Sequence, residues 1–282
     1  MRVPYPSSPL VRAMTAPAAT DTAITPVDPT ARRVPPFGGF SLTVLGIELR
    51  RMLRNRRTVI FTLVFPAALF FAVTGSDQTW NEPVGSGNEA AYILISMSLY
   101  GAALTAAAGG SMVAMERALG WSRQLRLTPL NPVVYILMKA VVALVMGALA
   151  IAVVNLCGLL QGRAEMPADV WIASAVVTLF CTFTFAALGV FTGFVVPGEN
   201  AMQILGPGLA VLSFLGGVFW PLTEGSTLWH VATFTPMYGV AMVARAPLTH
   251  DLPWYAVVNA IAWLAIFVAG AAWRMSKDTA RV

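Results

Sequence analysis

The sequence predicts an all-α integral membrane protein with six transmembrane helices. Of its 282 residues, 57% are hydrophobic and only 11% are charged. Soluble domains average about 25% charged residues, so this composition excludes an ordinary soluble protein. Crossing the hydrocarbon core takes about 20 predominantly apolar residues, and six runs come close to or exceed that length. These runs are residues 58–75, 90–115, 133–160, 170–196, 201–219 and 254–273.

The first 39 residues differ in character from these apolar runs. They are rich in Pro, Ala and Thr, and they lack the apolar stretch that a signal peptide requires. We therefore expect residues 1–39 to form a disordered cytoplasmic tail. The sequence also permits translation from Met14 in place of Met1. The rest of the chain divides into one transmembrane domain, residues 40–275, and a short cytoplasmic tail, residues 276–282.

An amphipathic helix is predicted immediately before the first apolar run. Apolar side chains recur at helical spacing through residues 41–54, and charged side chains occupy other faces. This pattern is typical of a helix in the membrane interface with its arginines toward anionic headgroups. The alternative is an ordinary basic flank of the first span, and both interpretations place the segment in the cytoplasm. The charged residues of interest are Glu48, Arg51, Arg54 and Arg56.

Proline and small residues mark particular features of the predicted spans. Pro66 lies midway along the first run and predicts a kink, which neighbouring membrane helices tolerate. Rows of small residues in the second and fifth runs predict close helix packing, either within one subunit or across a dimer interface. The second-run rows are Ala102, Ala106 and Gly110, and Gly101, Thr105 and Gly109; the fifth run has Gly206, Gly208, Ala210, Gly216 and Gly217.

Residues 220–253 are too apolar and too long for an ordinary outer loop, yet they contain no stretch of spanning length. We expect one or two short helices that re-enter the outer leaflet and are sheltered there by neighbouring protein. A loop lying on the membrane surface is the alternative. Either arrangement places this segment between the fifth and sixth spans.

The basic residues predict the orientation of the spans. Sixteen of the 18 Lys and Arg residues fall on one side of the predicted spans, and only Arg163 and Arg245 fall on the other. Because short cytoplasmic loops collect basic residues, we expect both termini on the cytoplasmic side of the cell membrane. The basic residues flank apolar spans, so the pI of about 9.6 does not indicate a nucleic-acid partner. Membrane lipids are the expected surroundings.

The sequence lacks the motifs of several enzyme classes. It contains no phosphate-binding Gly-rich loop followed by Lys and Ser or Thr, and no Gly-x-Ser-x-Gly. Its two histidines, His230 and His250, do not have zinc-peptidase spacing. Cys157 and Cys181 both lie in apolar runs, where we expect them to pack rather than bind metal. We therefore expect no catalytic residue, no metal site and no cofactor in this chain.

The interiors of the six predicted spans also contain no Asp, Glu, Arg or His, and Lys139 lies near the cytoplasmic end of the third span. Ion-coupled carriers keep such residues at mid-membrane, so their absence argues against secondary transport. If the protein moves a solute uphill, the energy must enter from a separate component. The segment best suited to receive it lies between the second and third runs, where Glu116–Leu127 predicts a short basic helix that Thr128-Pro129 ends.

This segment resembles the cytoplasmic loop of ABC-2 type transporter permeases, particularly the actinobacterial, daunorubicin-resistance-like branch of multidrug and antibiotic exporters. The resemblance rests on the order of its motifs. They are Glu116-Arg117, Gly120-Trp121, Arg123-Gln124-Leu125-Arg126, Thr128-Pro129 and Lys139.

The resemblance implies a coupling helix that docks in a groove of an ATPase subunit. Glu116 and Arg117 would anchor the start of this helix, and Trp121 and Leu125 would bury one face. The family pattern further implies an elbow helix at residues 41–54 and a re-entrant pair at 220–253. It also implies two ATPase subunits, which bind ATP and Mg, and a second permease subunit in a homodimer or heterodimer. The alternative is a solvated connector; under either reading Lys139 could extend along its apolar stem toward the interface.

The resemblance also implies an export path between two permease subunits for a hydrophobic or amphipathic drug, antibiotic or lipid. Two alternatives remain open, namely export of a lipid-linked glycan and a membrane scaffold or sensor without transport. For each candidate path residue, ordinary core packing is the competing interpretation. The candidates are Met97, Tyr100, Thr105, Met202, Gln203, Ser213 and Phe214.

Overall fold

The computed structural model describes residues 41–75, 80–119, 132–196 and 200–279. The predicted tail at residues 1–39 lies outside these ranges, as do residues 280–282. The helices are α1 (Leu42–Arg54), α2 (Arg56–Val59), α3 (Phe65–Thr74), α4 (Glu89–Ala118), α5 (Pro132–Gln161), α6 (Ala168–Val195), α7 (Asn200–Leu215), α8 (Thr227–Ala232), α9 (Pro236–Thr249) and α10 (Trp254–Thr279). A π-helical turn, Ile60–Val64, joins α2 to α3, and a two-stranded antiparallel hairpin, β1 (Pro83–Val84) and β2 (Gly87–Asn88), precedes α4.

Four helices in the described ranges are long and apolar enough to cross a membrane. They are Glu89–Glu116, Val134–Gln161, Ala168–Val195 and Trp254–Lys277. These helices coincide with the predicted second, third, fourth and sixth spans, and they confirm a helical, multi-pass membrane protein. The predicted first and fifth spans correspond to shorter apolar helices, Ile60–Thr74 and Gln203–Leu215. The count of six spans stays a prediction.

The backbone breaks twice before and within the predicted first span. Asn55 is extended (φ −79°, ψ 93°) and ends α1, and its side-chain carbonyl accepts a hydrogen bond from the backbone N–H of Thr58 at 3.3 Å. The π-helical turn then leads directly into Pro66, which has no backbone N–H to give to a regular α-helical ladder. Pro66 therefore marks the predicted irregularity, and α1 is a separate helix. Its position in a membrane interface stays a prediction.

Helix α4 is the central helix of the described structure and is almost completely buried. It packs on α6 where both helices carry glycine. A Cβ atom on Gly189 would lie 2.2 Å from the backbone oxygen of Ala107, and one on Gly110 would lie 2.5 Å from that of Ala186. The second-run glycines therefore serve packing within one subunit, one of the two alternatives left open by the sequence. Gly206 and Gly208 in α7 differ, because an added Cβ there meets nothing within 4 Å.

Residues 220–253 contain two helices, α8 and α9, as the apolar composition of this segment predicted. Ser226 caps α8 by accepting a hydrogen bond from the backbone N–H of Trp229 at 3.1 Å. Helix α9 buries one face against the core through Met237, Ala241, Ala244 and Leu248. The depth of these helices in a bilayer stays a prediction.

Candidate coupling site

Five side chains meet where the C-terminal part of α4 approaches α1 and α5. We call this set the charged cluster; it consists of Glu48, Arg51, Glu116, Tyr135 and Lys139. Lys139 Nζ lies 2.5 Å from Glu116 Oε1 and 3.0 Å from Glu48 Oε1. Arg51 Nη1 lies 3.4 Å from Glu116 Oε1, and the Tyr135 hydroxyl donates a hydrogen bond to Glu116 Oε2. The cluster thus joins three helices that are far apart in sequence.

The helical repeat explains how two of these helices present paired side chains. Glu48 and Arg51 are three residues apart in α1, and Tyr135 and Lys139 are four apart in α5, so each pair shares a helix face. Lys139 Nζ also lies 5.4 Å from the centre of the Tyr135 ring, within the range of a cation–π contact. Arg51, Tyr135 and Lys139 converge on the carboxylate of Glu116, and Glu48 joins the cluster through Lys139.

Burial makes the ion pairs of this cluster consequential. The side chains of Lys139 and Glu116 are only 4% and 6% exposed, whereas that of Arg51 is 43% exposed. A buried ion pair is weak support for stability, but removing one partner costs about 3–5 kcal/mol because the other charge is left uncompensated. Separating α1, α4 and α5 at this point would therefore expose a charged side chain to a new environment or leave a buried charge without its partner, and both are costly.

One atom of the charged cluster is incompletely satisfied. Glu48 Oε2 is buried and has no hydrogen-bond partner among the described residues. A buried carboxylate oxygen without a donor costs free energy that a paired one does not. The ion pair between Glu48 of α1 and Lys139 of α5 therefore leaves one carboxylate oxygen without a hydrogen-bond donor, whereas both carboxylate oxygens of Glu116 on α4 accept hydrogen bonds from α5.

The structure places some of the predicted coupling residues and leaves others outside the described ranges. Glu116 and Lys139 come together, and Glu48 and Arg51 of the predicted elbow join them. Arg54 and Arg56 are exposed and form no part of the cluster. The other predicted coupling residues lie outside what the structure describes. They are Arg117, for its side chain, and Gly120, Trp121, Arg123, Gln124, Leu125, Thr128 and Pro129.

The contacts of Lys139 and Glu116 add to the sequence-based expectations, and that of Lys139 differs from them. Lys139 does not extend toward water; its ammonium group is buried between two carboxylates, because these compensate its charge more effectively than a partly hydrated position at the interface. The carboxylate oxygens of Glu116 are bonded to Arg51, Tyr135 and Lys139 of its own chain, and its expected contact with an ATPase subunit stays a prediction. Glu116 therefore holds the start of the loop from inside.

The predicted coupling residues did not include any in α1, although the sequence contains one signal for its contribution. Leu45, Glu48, Leu49 and Met52 follow the i, i+3, i+4, i+7 spacing of one helix face. A carboxylate on an otherwise apolar face needs a buried cation, and Lys139 lies within an apolar run. Tyr135 carried no such signal.

A cavity of about 670 Å³ lies beside the charged cluster, between α1, α4 and the start of α7. Its walls combine methionine and alanine side chains with arginines of α1. The residues that line it include Arg50, Arg51, Arg54, Met52, Ala108, Met112, Met115 and Ala201. The combination of apolar walls with guanidinium groups suits an amphipathic molecule with an anionic end.

The six predicted path residues whose side chains the structure describes lie in different environments. Met97, Thr105 and Ser213 are buried in the core, and Thr105 donates a hydrogen bond to its own helix at Gly101. Tyr100 is also buried, with its ring edge-on to Phe219. On α7, Gln203 and Phe214 are exposed, and the side chain of Met202 lies outside the description. A transport role for these seven residues stays a prediction.

Comparison with known proteins agrees with this architecture. A family model described as ABC-2 type transporter matches residues 42–246, which include every residue of the charged cluster. The chain is also similar to a protein of Bacillus subtilis (strain 168) named "Putative transport permease YvfS", with 27% identity over 226 residues. That alignment covers 78% of this chain and 91% of the Bacillus protein. The family match extends over most of the chain, and we conclude that this protein belongs to the ABC-2 type transporter family.

Proposed function

We propose that this chain is the membrane-spanning permease subunit of an ATP-binding cassette exporter in the cytoplasmic membrane, with both termini in the cytoplasm. Membership in the ABC-2 type transporter family supports a transporter subunit that works with an ATPase partner. The sequence contains no phosphate-binding loop of its own. ATP and Mg are therefore bound by the partner, of which the complete transporter contains two copies.

The single observation that carries the coupling proposal is the position of Glu116. It lies near the end of α4, at the start of the loop proposed to dock on the ATPase, and it is bonded to both α1 and α5. A movement of that loop displaces the Glu116 carboxylate. Because the cluster resists separation of its buried charges, the movement carries α1 and α5 with it.

We further propose that two permease subunits pair, as identical or different chains, and that α7 contributes to their interface. Ile204, Val211 and Phe214 of α7 are exposed apolar side chains. The open space around Gly206 and Gly208 allows a second helix to approach closely. Both observations are compatible with a second subunit on this face.

The proposed cargo is a hydrophobic or amphipathic compound such as a drug, an antibiotic or a lipid. The cavity beside the charged cluster supports this class, since its volume of about 670 Å³ falls within the roughly 300–1,000 Å³ of small-molecule pockets. Its methionine side chains suit cargo of variable shape because methionine repacks readily.

Transport by reconstituted vesicles tests the proposal. The chain is reconstituted with its ATPase partner, without it, and with an ATPase variant that binds but does not hydrolyse ATP. Uptake of labelled amphipathic compounds into inside-out vesicles is then measured. We expect uptake only with the hydrolysing partner; uptake by the chain alone would contradict the proposed function.

A further inference from the structure

A buried arginine lies at the end of α4 opposite the charged cluster. Arg245 of α9 is 5% exposed, and its guanidinium group reaches the first turns of α4. Its Nε donates to Ser96 Oγ at 2.9 Å, and its Nη1 donates to the Tyr92 hydroxyl at 2.7 Å. Its Nη2 donates to the backbone oxygen of Gly217 at 2.7 Å. The proposed function uses none of these contacts.

All partners of this guanidinium group are neutral. No ion pair joins Arg245 to a carboxylate within the described ranges, and the guanidinium carbon lies 4.1 Å from the centre of the Tyr92 ring. Hydroxyl and carbonyl dipoles solvate the positive charge but do not neutralise it, and a buried charge without a counter-ion is costly. A neutral side chain such as Gln could make several of these hydrogen bonds without that cost. The arrangement therefore fits an anion.

Arg245 also lines a cavity of about 170 Å³ that provides room for such an anion. This volume is below the roughly 300 Å³ at which drug-sized pockets begin, so it fits a small polar group rather than a whole drug. Two exposed carboxylates, Glu224 and Asp251, line the same cavity, together with the aromatic rings of Trp229 and Tyr238.

The cavity is lined by a cationic side chain and also by carboxylates and aromatic rings, so it suits a ligand that carries both a negative and a positive charge. Carboxylates combined with aromatic faces attract an ammonium group through ion pairing and cation–π contacts. The Nε, Nη1 and Nη2 atoms of Arg245 already donate to Ser96, Tyr92, Gly217 and Val218, so the guanidinium group attracts a phosphate or carboxylate chiefly through its uncompensated charge. A simple anion would be repelled by Glu224 and Asp251, whereas a simple cation would be repelled by Arg245.

We propose that this cavity binds a small zwitterionic group, with its phosphate or carboxylate at Arg245 and its ammonium group near Glu224, Asp251 and the aromatic rings. The headgroup of a phospholipid such as phosphatidylethanolamine has this chemistry, and so does a free zwitterionic metabolite. The site is separate from the cavity beside the charged cluster, and its occupancy does not depend on transport.

Calorimetric titration of the purified full-length chain in a non-ionic detergent tests the proposal. The probe is glycerophosphoethanolamine, compared with glycerol 3-phosphate, which has a phosphate but no ammonium group, and ethanolamine, which has an ammonium group but no phosphate. We expect saturable binding of the zwitterion, about tenfold tighter than binding of either single-charge probe. Equal affinity for the zwitterion and glycerol 3-phosphate would overturn it, and so would the absence of saturable binding of any probe together with equal unfolding temperatures in the two kinds of nanodisc described below.

Variants of the cavity identify the residues responsible. Arg245→Gln should weaken zwitterion binding about tenfold or more, whereas Arg274→Gln on α10, which does not line the cavity, should bind like the parent chain. The double variant Glu224→Gln, Asp251→Asn changes only exposed side chains, so we expect it to fold. It therefore tests the binding site even if Arg245→Gln fails to fold. It should lower zwitterion affinity about threefold without weakening glycerol 3-phosphate binding. Unchanged zwitterion binding in both the Arg245 variant and the double variant would refute the assignment.

A second arm distinguishes a membrane lipid from a free ligand. The unfolding temperature is compared in nanodiscs of phosphatidylethanolamine and of phosphatidylglycerol. A higher temperature in phosphatidylethanolamine that disappears in the double variant supports the lipid headgroup. Binding of the soluble probe with no lipid preference supports a free zwitterion.

Discussion

At the scale of single residues, Lys139 shows how a charge inside an apolar helix can be stabilised. Its ammonium group has two carboxylate partners and the ring of Tyr135 on one side. Glu116 in turn accepts from three donors on two helices. Each charge therefore depends on the others, and the effects of single substitutions in the cluster should be strongly non-additive.

Replacing Lys139 with Met tests this dependence. The substitution retains most of the apolar stem but leaves the carboxylates of Glu48 and Glu116 without their shared cation. We expect the free energy of unfolding, measured in mixed micelles with increasing SDS, to fall by about 3–5 kcal/mol. Lys277→Met, at an exposed position on α10, should change it by less than about 1 kcal/mol. Equal effects of the two substitutions would show that the cluster does not stabilise the fold.

At the scale of elements, hydropathy predicted where helices lie better than where they break. The predicted second span, 90–115, corresponds to α4, and the predicted fourth, 170–196, to α6. The predicted fifth span, 201–219, is too long, because α7 ends at Leu215 and Gly217 follows with a φ of 68°. A glycine at positive φ ends a helix without changing the apolar character of the run.

The missed features share a physical cause, which is that they depend on contacts between distant segments. The β1–β2 hairpin has only two residues in each strand, too few for any period to be visible. Glu116 pairs with Arg51, 65 residues away, and only the position of Glu48 on an apolar face hinted at such a contact. Arg245 was predicted to lie in an outer segment, but its burial against α4 depends on how α9 packs.

The crossing of α4 and α6 gives a prediction at this scale. Gly189→Ala places a Cβ atom against the backbone of Ala107, which cannot move without displacing α4. We expect the free energy of unfolding to fall by about 1–3 kcal/mol. Gly46→Ala on α1, where the added methyl group meets nothing within 4 Å, should instead leave stability unchanged or raise it by up to about 1 kcal/mol. The same SDS titration measures both, and a Gly189→Ala variant as stable as the parent would contradict the close packing described here.

At the scale of the whole molecule, α4 connects the two charged sites. Glu116 and Tyr92 are 24 residues apart on this helix, which at about 1.5 Å per residue places the two sites about 36 Å apart along its axis. Helix α4 is almost completely buried and packs closely on α6. A displacement at one end of such a helix moves the helix as a unit. Under the proposed function, one point of entry for the ATPase movement is therefore sufficient, and we propose the charged cluster as that point.

The most direct test of this account is the amount of cargo transported per ATP hydrolysed by the complex that carries Glu116→Gln. Glutamine keeps the size of the side chain but removes the charge that binds Arg51 and Lys139. The matched control is Glu82→Gln, an exposed glutamate outside the cluster. We predict that the Glu116 variant binds the ATPase and hydrolyses ATP like the parent but transports about tenfold less cargo per ATP, while the Glu82 variant matches the parent. An unchanged ratio for Glu116→Gln would contradict the account.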